Sequence, residues 1–296
     1  MQHMISRQRL RARLMDGPVI AAPGIYDAYG ARLVEEVGFE AAYLTGNGVA
    51  ACLLGQPDVG LVDLTLMVEH AHRVAACIEI PLICDADTGY GNAVNVRHTV
   101  REFESAGAAA IHLEDQQMPK RCGNLPGSRP VVPLEEHVGK IRAAVAARRD
   151  PDFIIIARTD AAAGHGIDEA IRRGRAYREA GADAVFIELK DGPNVIAELT
   201  RIPREVNAPC LVNVVEAGGV AALTLADIGQ IGFRVAIYPG LGRYAAGFAV
   251  REALEVLKQD GNTGRLRNRM LSASEYNKTL KLTDVEEWES RYLPSP

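Results

Sequence analysis

Pro81-Leu82-Ile83-Cys84-Asp85-Ala86-Asp87-Thr88-Gly89-Tyr90-Gly91 is a short apolar run that stops in two acids and a glycine-rich turn, with a helical pattern at 94–105 behind it. A run this short and this apolar predicts a strand buried on both faces, and a strand followed by a helix is the repeating unit of a parallel sheet.

The same unit recurs in both directions. Upstream, the run at 19–22 ends in Pro23-Gly24-Ile25-Tyr26-Asp27 before a helix at 28–37. The run at 41–44 ends in Thr45-Gly46-Asn47-Gly48, and a loop through Gln56-Pro57-Asp58 leads to a helix near 64–77. Downstream, strands are predicted at 108–113, 153–157, 184–187, 210–212 and 235–237, with helices at 134–147 and 167–180. About eight such units in one chain predict an α/β fold of the (β/α)8 TIM-barrel type, whose catalytic groups sit where strands end and loops begin. A doubly wound sheet is disfavoured, because no G-x-G-x-x-G follows the first strand and no P-loop lysine motif occurs. The expected organisation is one barrel domain over 1–296, with a helical lead-in at 1–18 and a helical extension at 243–296 that packs on a neighbouring subunit. That extension contains the only tryptophan, Trp288.

Composition narrows the function classes. With 296 residues and 48% hydrophobic content, the chain can bury a large core. Its five cysteines are odd in number and mostly sit in apolar runs, which favours free thiols in a reducing cytoplasm. No signal-peptide pattern is expected, and no apolar run reaches the roughly 18 residues that would span a membrane. A formal net charge of −5 without a long basic block argues against nucleic acid or an anionic membrane as a partner and leaves small anionic ligands open.

The polar strand ends form a constellation. In an extended strand end, Asp85 and Asp87 would point to one face, where two carboxylates repel unless a cation lies near them. Glu114 at the next strand end and Asp58 in an earlier loop extend this to an all-oxygen set suited to Mg2+ or Mn2+ rather than zinc. Ion pairing of the same acids with Arg97, Lys120 or Arg158 is the plain structural alternative. The turn Thr45-Gly46-Asn47 offers backbone donors to a ligand carboxylate, Arg158 a bidentate clamp, and Glu188 and Asn213 further polar contacts. Such a pocket favours an oxo or hydroxy acid. After Glu114-Asp115 the chain enters Gln116-Gln117-Met118-Pro119-Lys120-Arg121-Cys122-Gly123-Asn124. Here Lys120 and Arg121 would favour the thiolate of Cys122, and Gly123 allows close backbone approach.

The motifs D-A-D-T-G-Y-G (Asp85 to Gly91), I-H-L-E-D-Q (Ile111 to Gln116), K-R-C-G (Lys120 to Gly123), A-R-T-D (Ala157 to Asp160) and Y-L-T-G before Asn47, in matching order, resemble the isocitrate lyase/phosphoenolpyruvate mutase superfamily. The cysteine loop is similar to the carbon–carbon lyase branch, which includes 2-methylisocitrate lyase and 2,3-dimethylmalate lyase. The resemblance implies Mg2+ at Asp85, Asp87 and Glu114, and Cys122 as the acid that protonates the carbanion left by cleavage, with Lys120 and Arg121 supporting its loop. It also implies substrate contacts from Thr45, Gly46, Asn47, Asp85, Gly123, Asn124, Arg158, Glu188 and Asn213, and a homotetramer built as a dimer of helix-swapped dimers. The chain departs from the lyase pattern at three places: Asn124 stands where the lyases usually carry a substrate-contacting histidine, the turn reads Thr45-Gly46-Asn47 where methylisocitrate lyases tend to read S-G-G, and Leu189-Lys190 follow Glu188 in place of the usual small residue. An amide cannot carry a proton as imidazole does, so either the leaving half is recognised differently or the activity is altered. The expected activity is Mg2+-dependent cleavage of a substituted malate or methylisocitrate-like acid to pyruvate or a related 2-oxo acid. Hydrolysis or decarboxylation of oxaloacetate, or phosphonopyruvate chemistry, is the enzymatic alternative, and a barrel that binds a dicarboxylate without turnover is the non-enzymatic one.

Overall fold

The computed structural model describes residues 2–123, 125, 129–216 and 218–294. Eight parallel strands close into a barrel in the order of the chain. They are β1 (Ile20–Ile25), β2 (Ala42–Leu44), β3 (Leu82–Asp85), β4 (Ala110–Glu114), β5 (Ile154–Thr159), β6 (Ala184–Ile187), β7 (Cys210–Asn213) and β8 (Val235–Tyr238). Each expected strand is present, and most run one to three residues further toward the polar end. The backbone ladder therefore carries Asp85, Glu114, Thr159 and Asn213 within the sheet itself.

The barrel interior is packed. Ile20, Ala22, Tyr43, Ile83, Ala110, Ile154, Ile156, Ala184, Phe186, Leu211, Val235 and Ile237 contribute to one buried apolar cluster from all eight strands. Helix α1 (Gln2–Met15) adds Leu10 and Leu14 to that cluster, so the lead-in plugs the end of the barrel where the strands begin. Arg7 fixes it there, donating from Nε to the Ala108 carbonyl at 2.9 Å.

The outer helices are α2 (Ala28–Val37), α3 (Gly46–Leu54), α4 (Leu64–Ala75), α5 (Ala93–Ser105), α6 (Leu134–Ala147), α7 (Ala162–Glu179), α8 (Val195–Val206), α9 (Leu225–Ile231) and α10 (Leu241–Asp260), followed by α11 (Ala273–Thr279) and α12 (Leu282–Tyr292). Gly166 breaks α7 with φ 83°, so its regular part begins where the apolar period predicted. Helices α8 and α9 complete strand–helix units whose helices the sequence pattern did not delimit, and α3 differs from expectation. The Thr45–Gly48 turn is the start of α3, capped by the Thr45 hydroxyl accepting from the Gly48 N–H at 3.3 Å. Two glycines lower its helix propensity, and the cap and burial of Val49 and Ala50 override that. Among the described residues, no helix is long and apolar enough to cross a membrane, and the five cysteines form no disulfide.

Candidate active site

A pocket opens at the carboxyl ends of the strands and is lined by Thr45, Asn47, Asp58, Asp85, Glu114, Lys120, Cys122, Gly123, Arg158, Glu188 and Asn213. These eleven expected residues come from β3, β4, β5 and β7, the loops after β4 and β6, the N-cap and first turn of α3, and the loop between α3 and α4. Gly46 meets the pocket through its neighbour, its N–H donating to Asp85 Oδ2 at 3.3 Å. Arg121 is exposed and does not line the pocket. Its backbone is gripped by the Gln116 side chain, which accepts from the Arg121 N–H at 2.9 Å and donates to its carbonyl at 3.1 Å. Asn124 lies outside the described residues.

The two aspartates converge differently from the extended geometry expected of them. The strand ends at Asp85, and Asp87 adopts a left-handed backbone with φ 47°. Such a turn is costly for a non-glycine residue unless the surroundings hold it. The Asp87 N–H donates to Asp85 Oδ1 at 3.0 Å, and its carbonyl accepts from the Glu114 N–H at 2.8 Å. Both acids are thereby bound to the end of β4.

Positive charge reaches this cluster from two directions. Lys120 Nζ lies 2.6 Å from both Asp58 and Asp87, fully inside the protein. Arg158, opposite Glu114 in the β4–β5 register, places Nη1 3.2 Å from Glu114 Oε2. Burial resists ionisation of Asp85, but His112, Lys120 and Arg158 outweigh it and hold its carboxyl at about 2. Burial pushes Asp87 up to about 7, with Lys120 opposing and the charges of Asp85 and Asp58 adding to the rise. Burial likewise pushes Glu114 well above the usual carboxylate range in spite of Arg158.

The four acids thus exceed the cations beside them, since Arg158 is also committed to Asp160 at 2.9 Å. Glu114 Oε1 is buried with no hydrogen-bond partner among the described residues. An all-oxygen donor set short of positive charge fits a hard divalent cation. As the side chains stand, no group of three or more His, Cys, Asp or Glu among the described residues is arranged to hold a metal ion, and Lys120 supplies the positive charge between Asp58 and Asp87.

Cys122 faces the pocket from the loop after β4. Its backbone N–H donates to the Asp58 carbonyl at 3.1 Å, and Asn47 Nδ2 donates to its sulfur at 3.1 Å. The Lys120 ammonium pairs with Asp58 and Asp87, two buried carboxylates that attract a cation strongly. Glu188 and Asn213 form a pair across the far wall, with Asn213 Nδ2 donating to the carboxylate oxygens at 3.2 and 3.3 Å.

Sequence reasoning missed the apolar and aromatic wall of Tyr43, Phe186 and Ile237, together with Arg243 at the start of α10. Tyr43 donates or accepts at 2.8 Å with His112 Nε2, and the alternation of β2 was the only available signal for it. Arg243 lies five residues past the end of β8, with no local pattern to mark it.

A family model described as phosphoenolpyruvate phosphomutase matches residues 10–257. The chain is 45% identical over 289 residues to 2,3-dimethylmalate lyase of Eubacterium barkeri, covering 98% of this chain and 99% of that protein. Among solved structures, oxaloacetate acetylhydrolase in complex with 3,3-difluorooxalacetate is similar at TM-score 0.90 and 35% identity, with 97% of each chain covered. Phosphonopyruvate hydrolase in complex with oxalate and Mg2+ is similar at TM-score 0.88 and 35% identity, covering 98% of this chain and 99% of that one.

Proposed function

The chain belongs to the phosphoenolpyruvate mutase/isocitrate lyase superfamily, and from that premise we propose that it is a Mg2+-dependent carbon–carbon lyase. Its substrate is a substituted malate or methylisocitrate-like 2-hydroxy acid, and its products are pyruvate, or a related 2-oxo acid, and a carboxylic acid. The observation that carries this reading is the placement of Cys122, which is held by Asn47 at the rim of the same pocket that Asp85, Glu114 and Arg158 line.

Asp85, Asp87 and Glu114, with Asp58 nearby, would hold Mg2+ or Mn2+. Bound there, the cation would supply Lewis-acid stabilisation of the oxygens of the 2-oxo acid half. Arg158 clamps a carboxylate of that half, and the N-terminus of α3 at Gly46 and Asn47 offers it backbone donors. Breaking the C2–C3 bond converts the C2 hydroxyl to a carbonyl, with loss of its proton, and leaves the electron pair on the carbon beside the second carboxylate. The Cys122 thiol protonates that carbon, so the leaving half departs as a simple carboxylic acid. Glu188 and Asn213 bound the far side of the pocket.

A second reading, hydrolysis of oxaloacetate, is favoured by the likeness to oxaloacetate acetylhydrolase at TM-score 0.90. Pyruvate release from a panel of alkylated malates, with and without chelator, tests the lyase reading. Mg2+-dependent pyruvate from at least one member is expected. Acetate and oxalate from oxaloacetate, with no pyruvate from any malate, would replace it with the second reading.

The whole chain acts as one barrel unit, and its partners are copies of itself. Phe248 and Leu254 on α10 and Trp288 and Tyr292 on α12 are 60–70% exposed, a quantity of apolar surface that favours burial against another subunit. A homotetramer in light scattering is expected, and a monomer at micromolar concentration would contradict it.

A further inference from the structure

Asp160, the residue after β5, is fully buried and serves two arginines with one carboxylate. Its Oδ2 accepts from Arg158 Nε at 2.9 Å, and its Oδ1 accepts from Arg158 Nη2 at 3.1 Å. The same Oδ1 accepts from Arg129 Nη1 at 2.7 Å. The two guanidinium groups have different addresses. Arg158 lines the pocket, whereas Arg129 lies on the chain returning from the cysteine loop toward α6 and does not line it.

Asp160 is fixed from behind. Its backbone N–H donates to Asp115 Oδ1 at 3.0 Å. Asp115 Oδ2 in turn accepts from Thr159 Oγ1 at 2.7 Å, Arg173 Nη1 at 3.0 Å and Tyr177 OH at 2.8 Å, the last two on α7. A buried carboxylate so held cannot swing to follow either arginine, and so both must come to it. On the loop side, Arg129 is packed against Gly123, where an added Cβ would lie 3.0 Å from Arg129 Nη1 and 3.0 Å from Glu188 Oε1. The position of Arg129 therefore bears directly on the residue next to Cys122.

Charge makes the two contacts interdependent. Two guanidinium groups face one shared carboxylate, and Arg158 meets Glu114 at 3.2 Å as a further anionic partner, with the charges of Glu188 and Asp85 also acting on it. A ligand carboxylate that takes up the pocket edge of Arg158 leaves Asp160 Oδ1 free to bind Arg129 more strongly. We propose that Asp160 is a positioning residue that couples the two, aiming Arg158 at the substrate carboxylate and, through the same oxygen, seating Arg129 and with it the Gly123–Cys122 end of the loop. This role rests on the proposed function, in which Arg158 clamps a carboxylate.

Oxalate with Mg2+ is the probe, read by calorimetry and by the rate of trypsin cleavage after Arg121. In the wild-type protein, saturating oxalate should slow cleavage about tenfold or more. Arg129→Gln, which removes no pocket residue, should reduce that protection to under about threefold even at saturation and weaken oxalate binding about threefold or more, since coupling is reciprocal. Asp160→Asn should weaken oxalate binding about tenfold or more and abolish protection, with Asp160→Glu restoring part of both. Where Asp160→Asn does not fold, the cycle of Arg129→Gln with Arg158→Lys decides the matter: non-additive losses of oxalate affinity are expected. Full protection and unchanged affinity in Arg129→Gln, or strictly additive losses in the cycle, would overturn the coupling. Wild-type protein that binds no oxalate with Mg2+ would overturn the proposed function, and with it the role given to Asp160.

Discussion

Glu114, at the end of β4, lies directly opposite Arg158 on β5, and the two buried side chains meet at 3.2 Å. A cross-strand pair of opposite charge is thus built into the sheet at the floor of the pocket. Breaking a buried pair leaves an uncompensated charge, so Arg158→Met should lower the free energy of unfolding in urea by ~3–5 kcal/mol. Arg158→Lys keeps the charge but loses the planar fork. It should fold, with kcat/KM reduced roughly tenfold or more. Equal stability of Arg158→Met and wild type would count against the pairing.

Gly123→Ala tests the close packing beside the thiol. The added methyl would press on Arg129 and Glu188, each anchored elsewhere, Arg129 by Asp160 and Glu188 by Asn213. Neither neighbour can give way cheaply, so the loop should yield instead. Turnover should fall roughly tenfold while the barrel, and hence the urea midpoint, stays nearly unchanged, because exposed loops add little to global stability. Unaltered turnover would show that the loop does not need this contact.

Much of the site was legible because the barrel turns a pattern in sequence into a place in space. Each short apolar run that ended in Asp85, Glu114, Arg158, Glu188 or Asn213 became a strand delivering that residue to one rim. The partners of those residues were not legible. Lys120 meets Asp58 across a separation of 62 residues, and Asp115 meets Tyr177 across another 62. No local periodicity encodes such meetings. Asp87 was misplaced for a related reason: the left-handed turn at φ 47° is held by hydrogen bonds to Asp85 and Glu114 that an extended reading of D-A-D does not contain.

Acid stability should report on His137, which is buried on α6 against the ring of Tyr177 at 4.6 Å. Burial, with Lys140 and Arg173 nearby, pushes its imidazole down to about 3, so it stays neutral in the folded protein while the unfolded chain titrates near 6.5. The unfolded state therefore binds the proton first. Stability is full above pH 6.5 and is lost as pH falls toward 3, by about 1.4 kcal/mol per unit from this group. His137→Phe should flatten the dependence of the urea midpoint on pH across that window. An unchanged slope would place the acid sensitivity elsewhere.

Metal dependence gives a further test of the acidic cluster. Glu114→Gln removes a charge from a set that exceeds its cations, and it should raise the Mg2+ concentration needed for half-maximal activity by roughly tenfold or more. Activity in wild type should vanish with chelator and return with Mg2+ or Mn2+. Full activity in chelator would separate Asp85, Asp87 and Glu114 from any metal role.

The most direct test of the account concerns Cys122, whose sulfur receives the Asn47 amide at 3.1 Å. A general acid contributes about 10²–10⁴-fold to rate, so Cys122→Ser, assayed for pyruvate release from 2,3-dimethylmalate and related malates with saturating Mg2+, should lose about that factor in kcat while binding oxalate as the wild type does. A Cys122→Ser protein that releases pyruvate at the wild-type rate would contradict the central claim that this thiol delivers the proton.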